Sequence, residues 1–297
     1  MKGEISMKNP VKKVAAIHDL SGFGRASLTS IIPILSYMGI QVCPFPTAVL
    51  STHTGGFKDF SFVDLTDSME DYMNHWKKEN IEFDCIYSGF LGSPEQADII
   101  LDFVKKFKNN SNIVVVDPVM GDDGKFYSTI DENMVHKMKN LIKKADIITP
   151  NLTEATYLLG QKYTKDIEEE KVKKMLVDLS NIGPKIVVIT SIPNIHISDN
   201  IDVFAYDRDD HKFWKIGCKY IPADFPGTGD MFTSVFIGSL LNGDSLPIAL
   251  DRSVKFINIG IRESFGFTYP RREGILLEKV LNTLNMPIIN SNYELLE

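Results

Sequence analysis

Residues 145–160 read "ADIITPNLTEATYLLG", and this stretch predicts one complete strand-to-helix unit. Ile147 and Ile148 are typical of a short buried strand. Asn151 opens the next segment with Glu154 three positions later, which is the spacing of a capping box and predicts that a helix begins here. The stretch therefore indicates a strand whose polar end leads straight into a helix.

The same alternation of strands and helices continues on both sides of this unit. Apolar strand-like runs lie in "VKKVAAIH" (11–18), "FDCIYSGF" (83–90), "NIVVVDP" (112–118) and "KIVVIT" (185–190), and helical spacing lies in "RASLTSIIPILSYMG" (25–39) and "SPEQADIILDFVKKF" (93–107). We expect "DLSGFG" (19–24) to break the first strand, and "DVFAYDRDDHKFWKI" (202–216) to form a hairpin that turns at 207–210. Unbroken apolar strands indicate a mostly parallel sheet that helices cover on both faces, an α/β fold.

The composition narrows the class of protein. With 297 residues, 43% apolar residues and a net charge of −7, the chain suits one α/β domain (1–297), and its acidity argues against a general nucleic-acid binder. It has no apolar run long enough for a signal peptide or a membrane span, three scattered cysteines and no paired histidine spacing. We therefore expect a reduced cytoplasmic protein without structural zinc, in which residues 1–10 form a flexible tail.

Polar residues follow several of the predicted strands at the point where each strand ends. They are Asp19, Asp117, Thr149 with Asn151, and Thr190. Ligands of such sheets bind beyond the carboxyl ends of the strands, so these side chains are candidates for one shared site. The alternative is that they are ordinary turn and cap residues, since Asp, Asn and Thr favour such places.

The segment "HDLSGFGRAS" places Gly22, Gly24 and Ser27 in a G-x-G-x-x-S pattern between a strand and a helix. A dinucleotide site would need an acidic residue at the end of the next strand, "IQVCPFPT", which has none there. The segment is therefore not predicted to bind a dinucleotide. We expect instead a loop that lets a small ligand approach the backbone.

The segment "DPVMGDDGKFY" (117–127) contains a candidate magnesium ligand. Asp117 ends a buried strand, and a carboxylate in that position suits an ion that keeps several of its waters. Asp122 and Asp123 follow in a glycine-flanked loop, and their carboxylates also suit a magnesium ion. A solvated β-turn is an equally good interpretation of this loop.

Residues 225–243, "FPGTGDMFTSVFIGSLLNG", place two glycines and an acid in front of an apolar helix. The spacing predicts that this helix begins near Asp230 and ends at Asn242. Free N–H groups and the positive end of the helix dipole make its start a site for an anion such as a phosphoryl group in transfer. Asp230 can then take the proton of an incoming hydroxyl group. The alternative is an acid that only complements the dipole.

The motifs "VAAIHDLSGFG", "SGFLGS", "DPVMGD", "TPNLTEA" and "PGTGDMF" occur in the order found in the ribokinase superfamily, which the chain resembles over nearly its whole length. "DPVMGD" with "PNLTEA" is similar to the branch that phosphorylates vitamin hydroxymethyl groups. "AVLSTHTGG" (48–56) is similar to pyridoxal kinases, with Thr52 in place of the usual Asn. The resemblance implies a three-layer α/β/α sandwich without a separate lid domain. It also implies transfer of the γ-phosphate of ATP to the 5′-hydroxyl of pyridoxal, pyridoxine or pyridoxamine.

The resemblance also implies roles for individual residues. Asp230 would be the base, and the anion hole would be formed by Gly227, Thr228 and Gly229. ATP with Mg²⁺ would be bound by Asp117, Thr149, Asn151, Glu154 and Thr190, with Asp117 and Glu154 near the metal and the adenine near residues 216–222. The vitamin would contact Asp19, Ser21, Thr54, Gly55, Phe90 and Asp230. A homodimer is implied as well, and the need for a monovalent cation stays open.

Departures from the family pattern keep other functions open. Asp19 stands where many pyridoxal kinases have Ser and is nearer to the start of hydroxymethylpyrimidine kinases, yet those enzymes commonly have Cys in place of Asp230. Phe90 stands where some relatives have Tyr. The alternatives are therefore a hydroxymethylpyrimidine (phosphate) kinase of thiamine biosynthesis and a non-catalytic vitamin or nucleotide sensor. The acid at position 230 argues against the sensor, since binding alone needs no base.

Overall fold

The computed structural model describes residues 9–127, 130–197, 199–287 and 291–296. Residues 1–8 of the predicted flexible tail lie outside these ranges. Within the described residues, a ten-stranded sheet forms the centre of the fold, and a two-stranded hairpin is separate from it.

The main sheet is mostly parallel. The strands are β1 (Lys13–Phe23), β2 (Gln41–Thr52), β3 (Phe62–Asp64), β4 (Cys85–Ser88), β5 (Ile113–Val116), β6 (Gly121–Asp122), β7 (Lys125–Phe126), β8 (Ile147–Ile148), β9 (Ile186–Pro193), β10 (Asn200–Asp207), β11 (Lys212–Lys219) and β12 (Tyr293–Leu296). The order in the sheet is β12-β11-β10-β9-β8-β5-β4-β1-β2-β3, and β6 pairs with β7 in the hairpin. The strands from β9 to β2 in that order are parallel to one another. At one edge β3 pairs antiparallel with β2, and at the other edge the pairs β9–β10, β10–β11 and β11–β12 are all antiparallel.

Helices cover both faces of this sheet. They are α1 (Leu28–Tyr37), α2 (Thr66–Lys78), α3 (Pro94–Phe107), α4 (Glu132–Ile142), α5 (Leu152–Leu159), α6 (Glu169–Ile182), α7 (Thr228–Leu241), α8 (Leu246–Phe265) and α9 (Leu277–Val280). Side chains of α2 to α6, such as Phe103 and Met138, belong to one buried cluster, and side chains of α1, α7 and α8, such as Ile31 and Phe236, belong to another. The predicted three-layer α/β/α architecture is confirmed.

The first strand is longer than the sequence indicates. The predicted break at residues 19–24 is wrong, because β1 continues to Phe23 and pairs with β2 as far as Thr52. The register of this pairing shifts between His18 and Leu20, so Asp19 lies at an irregularity inside the strand. The long neighbouring strand supplies the hydrogen bonds that keep a glycine-containing segment extended.

Local signals at the helix starts are confirmed. The Ser93 hydroxyl accepts a hydrogen bond from the Gln96 amide at the start of α3, and Asn151 and Glu154 form the predicted capping box of α5. The predicted hairpin is formed by β10 and β11. Helix α7 begins at Thr228, two residues before the predicted start. In the part of the chain that the structure describes, no helix is long and apolar enough to span a membrane.

Candidate active site

The predicted site residues lie where the parallel strands end. Asp117 directly follows β5 and Thr149 follows β8, and the Thr149 amide donates to the Val116 carbonyl at 3.2 Å. Asn151 forms an isolated parallel bridge with Thr190 of β9. The sheet itself therefore brings these segments to one edge.

The start of α7 lies at the same edge. Gly227 has a φ of 86° and is the N-cap of the helix, and the next three residues form its first turn. The helix is buried from Met231 to Ser239, so its position in the core is fixed. The first N–H groups of a helix have no partners within it, so this turn can bind an anion.

Asp230 lies in this first turn with 13% of its side chain exposed. Its Oδ2 accepts a hydrogen bond of 2.8 Å from the Ser27 amide, and its Oδ1 lies 3.7 Å from Nδ1 of His18. Burial raises the pKa of Asp230 to about 7, the charge of Asp19 raises it as well, and the Ser27 amide acts in the opposite direction. A carboxylate with a pKa near neutrality is well suited to general base catalysis.

Glu154 and Asp117 form an acidic pair near the strand ends. The two oxygens of Glu154 accept hydrogen bonds from the amides of Met120 (3.0 Å) and Asn151 (2.8 Å). Burial raises the pKa of Glu154 to about 8. Burial also raises the pKa of Asp117 well above its usual value, and the charges of Glu154 and Asp230 add to this effect. Such mutual repulsion between acids favours the binding of a cation between or beside them.

Asp19 and Ser21 form one buried polar unit. The Ser21 hydroxyl donates to one Asp19 oxygen at 2.9 Å, and the Ser27 hydroxyl donates to the other at 2.6 Å. Burial raises the pKa of Asp19, and these two hydrogen bonds oppose that rise. Neighbouring His18 is fully buried, and burial lowers its pKa to about 3, so its imidazole is neutral.

Residues 53–56 lie beside the glycine turn. His53 accepts a hydrogen bond from the Gly55 amide at 3.1 Å, and its other ring nitrogen lies 2.7 Å from the Arg272 carbonyl oxygen. A β-carbon at Gly55 would lie 3.2 Å from Pro226, so the backbone of Gly55 adjoins the turn that precedes α7. Thr54 of this segment is exposed. The structure thus places Gly55 near the predicted anion hole.

Phe90 and the hairpin acids Asp122 and Asp123 have contacts outside the glycine turn at residues 227–229. Phe90 is half-buried and packs against the apolar cluster of α2 to α6. Asp122 belongs to the β6–β7 hairpin, and Asp123 lies in its turn and forms an ion pair with Lys165 at 2.8 Å. For Asp123, the solvated-turn alternative is therefore the better description.

Sequence reasoning did not assign a role to Ser27 beside Asp230 or to Arg272 beside His53. Ser27 ended the G-x-G-x-x-S pattern, but the pattern contains no information about a partner 203 positions away. The His53–Arg272 contact spans 219 positions and has no local signal either.

The family profile described as phosphomethylpyrimidine kinase matches residues 33–272. The chain belongs to this kinase family. Two crystal forms of a Bacteroides thetaiotaomicron protein, provisionally described as a phosphomethylpyrimidine kinase, are similar to this chain, with 55% sequence identity and TM-scores of 0.95 and 0.93. They cover 98% and 96% of this chain and 100% of their own, and the second form contains pyridoxal.

Pyridoxal kinases are also among the relatives of this family member. The structure of the enzyme from Lactobacillus plantarum is 30% identical, covers 92% of this chain and 96% of its own, and has a TM-score of 0.84. The enzyme from Dictyostelium discoideum is 30% identical over 249 residues, which are 77% of this chain and 79% of its own. The predicted pyridoxal kinase resemblance and the predicted enzyme class, a phosphotransferase with an alcohol acceptor, are confirmed.

Proposed function

We propose that the protein transfers the γ-phosphate of ATP to the 5′-hydroxymethyl group of pyridoxal, pyridoxamine or pyridoxine, a reaction of vitamin B6 salvage. The observation that carries this proposal is the position of Asp230, a carboxylate with a pKa of about 7 in the first turn of α7. The relatives named pyridoxal kinase, and the pyridoxal in the 55% identical protein, support the choice of substrate.

Asp230 acts in this proposal as the general base. It accepts the proton of the 5′-hydroxyl group as the oxygen attacks the γ-phosphorus. The amides of Gly227, Thr228 and Gly229 at the start of α7 stabilise the negative charge on the transferring phosphoryl group. An acid and an anion site share this one turn, an arrangement that suits phosphoryl transfer to an alcohol.

Mg²⁺ fits the acidic pair. Magnesium usually binds one or two carboxylates together with substrate phosphates and waters, rather than a cage of protein ligands. The described residues contain no group of three or more His, Cys, Asp or Glu that could hold a metal. Asp117 and Glu154 would hold the ion directly or through its waters, and the bound ion would neutralise charge on the phosphates.

The nucleotide would extend from this pair along β9 and β11. Asn151 has both side-chain groups engaged, since it accepts from the Glu154 amide at 2.9 Å and donates to the Gly121 carbonyl at 2.8 Å. In this proposal Asn151 fixes Glu154 and the hairpin and directs its remaining side-chain N–H to the nucleotide, and Thr149 and Thr190 would lie near the phosphates. A cavity of about 280 Å³ is lined by residues 216–219 and by α8 residues such as Val254 and Asn258, and it supports a position for the adenine near residues 216–222.

The vitamin ring would lie against Asp19, Ser21, Thr54, Gly55 and Phe90. The contact between Gly55 and Pro226 supports this, because it brings residues 53–56 next to the turn that contains the base. The Ser21 hydroxyl already donates to Asp19, so the two residues would recognise a ring atom as one unit rather than as alternatives.

A hydroxymethylpyrimidine kinase is the second candidate, because the family profile and the Bacteroides relative have that description. The deciding experiment is a coupled ADP-release assay with pyridoxal, pyridoxamine, pyridoxine and hydroxymethylpyrimidine side by side. We expect a B6 vitamer to have the highest kcat/KM. The reverse preference would assign the protein to thiamine biosynthesis, and binding of both compounds without turnover would indicate a sensor. The homodimer and the cytoplasmic location stay predictions.

A further inference from the structure

Ser27 connects two acids that lie on different elements. Its backbone N–H donates to Oδ2 of Asp230 at 2.8 Å, and its hydroxyl donates to Oδ1 of Asp19 at 2.6 Å. Asp230 belongs to α7 and Asp19 to β1, so one small residue fixes the distance between a helix start and a strand. Ser27 is itself buried, with 6% exposure.

The conformation of Ser27 is unusual for a residue with a side chain. Its φ is 50° and its ψ is −136° at the N-cap of α1. Serine favours N-caps because its hydroxyl can accept from the helix amides, but the Ser27 side chain makes no such bond. The hydroxyl points instead to Asp19. This rotamer therefore does not stabilise the start of α1. It stabilises the contact between Ser27 and Asp19 of β1.

Neighbouring contacts keep the segment in place on its other side. The Arg25 amide donates to the Glu273 carbonyl at 3.1 Å, and the Arg25 guanidinium lies 2.9 Å from Glu278. A β-carbon at Gly227 would lie 2.9 Å from the α-carbon of Ala26, so the glycine turn packs directly on this segment. Ser27 is thus placed against the turn that contains the base.

We propose that Ser27 is a positioning residue for the base. Its hydroxyl, anchored by Asp19, keeps the residue at its positive φ, and this aims its N–H at Oδ2 of Asp230 and leaves Oδ1 for the substrate hydroxyl. This inference rests on the proposed function of Asp230. It assigns Asp19 a second task, since Asp19 anchors the residue that orients the base.

Two substitutions at position 27 distinguish the effect of the backbone conformation from the effect of losing the hydroxyl group. Alanine removes the anchor and, like serine, disfavours a positive φ, so without the anchor the N–H should turn away from Asp230. Glycine removes the same hydroxyl but adopts a positive φ readily, so the N–H can stay in place. Ser30→Ala is the matched control, because the Ser30 hydroxyl donates to the Ser27 carbonyl at 3.0 Å within the same buried helix start and contacts neither acid.

The test measures kcat and KM for both substrates in these three variants, with thermal unfolding to check the fold. We expect Ser27→Ala to lower kcat by about 10- to 100-fold, the worth of one hydrogen bond to a charged group. The KM for ATP should change little. Ser27→Gly should recover most of the lost kcat, and Ser30→Ala should match the parent protein. Equal losses in the alanine and glycine variants, or an unchanged kcat in both, would overturn the proposal.

Crystal structures of the two Ser27 variants give a readout that does not depend on turnover. The amide of residue 27 should lie within hydrogen-bond distance of Asp230 in the glycine variant and beyond it in the alanine variant. If the parent protein has no kinase activity but the two variants differ in this way, the proposed function is wrong and the positioning role of Ser27 still holds. Identical amide positions in both variants would reject the role of Ser27 itself.

Discussion

The backbone of Gly227 packs so closely on the carbonyl oxygen of Arg25 that a β-carbon at position 227 would lie 2.2 Å from that oxygen. The φ of Gly227 is 86°, a value that residues with side chains rarely adopt. The turn before α7 and the segment before α1 are therefore in direct backbone contact. This contact determines where Asp230 lies relative to Ser27.

Alanine substitutions at three glycines should have three different results. Gly227→Ala combines a left-handed φ with a backbone clash, and we expect it to lower the free energy of unfolding by more than ~2 kcal/mol. Gly243→Ala has a φ of 94° but open space around its β-carbon, so only the strain of about 1–2 kcal/mol applies. Gly229→Ala lies in α7 with a β-carbon 3.9 Å from Asp117, so it should keep stability and lose turnover. Urea unfolding measures the stability of each variant, and the coupled assay measures its turnover. Equal stabilities of Gly227→Ala and Gly243→Ala would show that the predicted backbone clash at position 227 costs nothing.

Replacement of Asp230 by Asn should remove the base and keep the hydrogen bond from Ser27. We expect kcat to fall by about 10²- to 10⁴-fold, the usual contribution of a general base, with the KM for ATP changed by only a few fold. Asp210→Asn, in the exposed turn between β10 and β11, is the matched control and should leave turnover unchanged. Full turnover in Asp230→Asn would show that another group accepts the proton.

The pH dependence of the reaction should follow the titration of Asp230. Its pKa is raised to about 7, and a base must be deprotonated to act, so kcat/KM should fall tenfold per pH unit below about 7 and level off above it. Profiles measured with pyridoxine and with pyridoxamine distinguish titration of the enzyme from titration of the vitamin. If an enzyme group titrates, the acidic limb of the kcat/KM profile has the same pKa with both substrates. The charge of Asp19 raises the pKa of Asp230, so Asp19→Asn should move the limb to lower pH. A limb that stays in place in that variant, or a rate that rises as the pH falls, would contradict this assignment.

The sequence predicts those parts of the site that depend on neighbouring residues. The capping box of Asn151 and Glu154 needs only a spacing of three, and the start of α7 follows from two glycines and the spacing of apolar residues. The polar strand ends follow from the topology of parallel strands. All of these signals lie within one turn of a helix or one strand.

The remaining contacts could not be predicted because their partners are distant in sequence. Ser27 and Asp230 are 203 positions apart, and neither the backbone of Ser27 nor its rare φ has a signature in the residue type. The continuation of β1 beyond Asp19 depends on the length of β2, which is a property of the partner strand. The edge strand β12 depends in the same way on pairing with β11.

Replacement of Glu154 by Gln should reveal a structural role apart from any metal. Both oxygens of Glu154 accept from backbone amides, and Gln offers only one such oxygen. One amide then loses its partner, and we expect a loss of about 1–3 kcal/mol in the free energy of unfolding without Mg²⁺. Glu132→Gln, exposed at the start of α4, is the control and should change stability by less than about 0.5 kcal/mol. Equal stabilities of the two variants would show that the amides find other partners.

Replacement of Asp117 by Asn should weaken the binding of Mg²⁺ rather than the fold. The charges of Glu154 and Asp230 both disfavour the ionised form of Asp117, so the neutral amide removes a repulsion that the protein without metal must tolerate. We therefore expect equal or greater thermal stability without Mg²⁺ and a higher Mg²⁺ concentration for half-maximal turnover. Asp123→Asn removes a carboxylate that is exposed and paired with Lys165, so its Mg²⁺ dependence should match that of the parent protein. A titration of turnover against Mg²⁺ at fixed ATP compares the two variants, and identical curves would exclude Asp117 from the metal site.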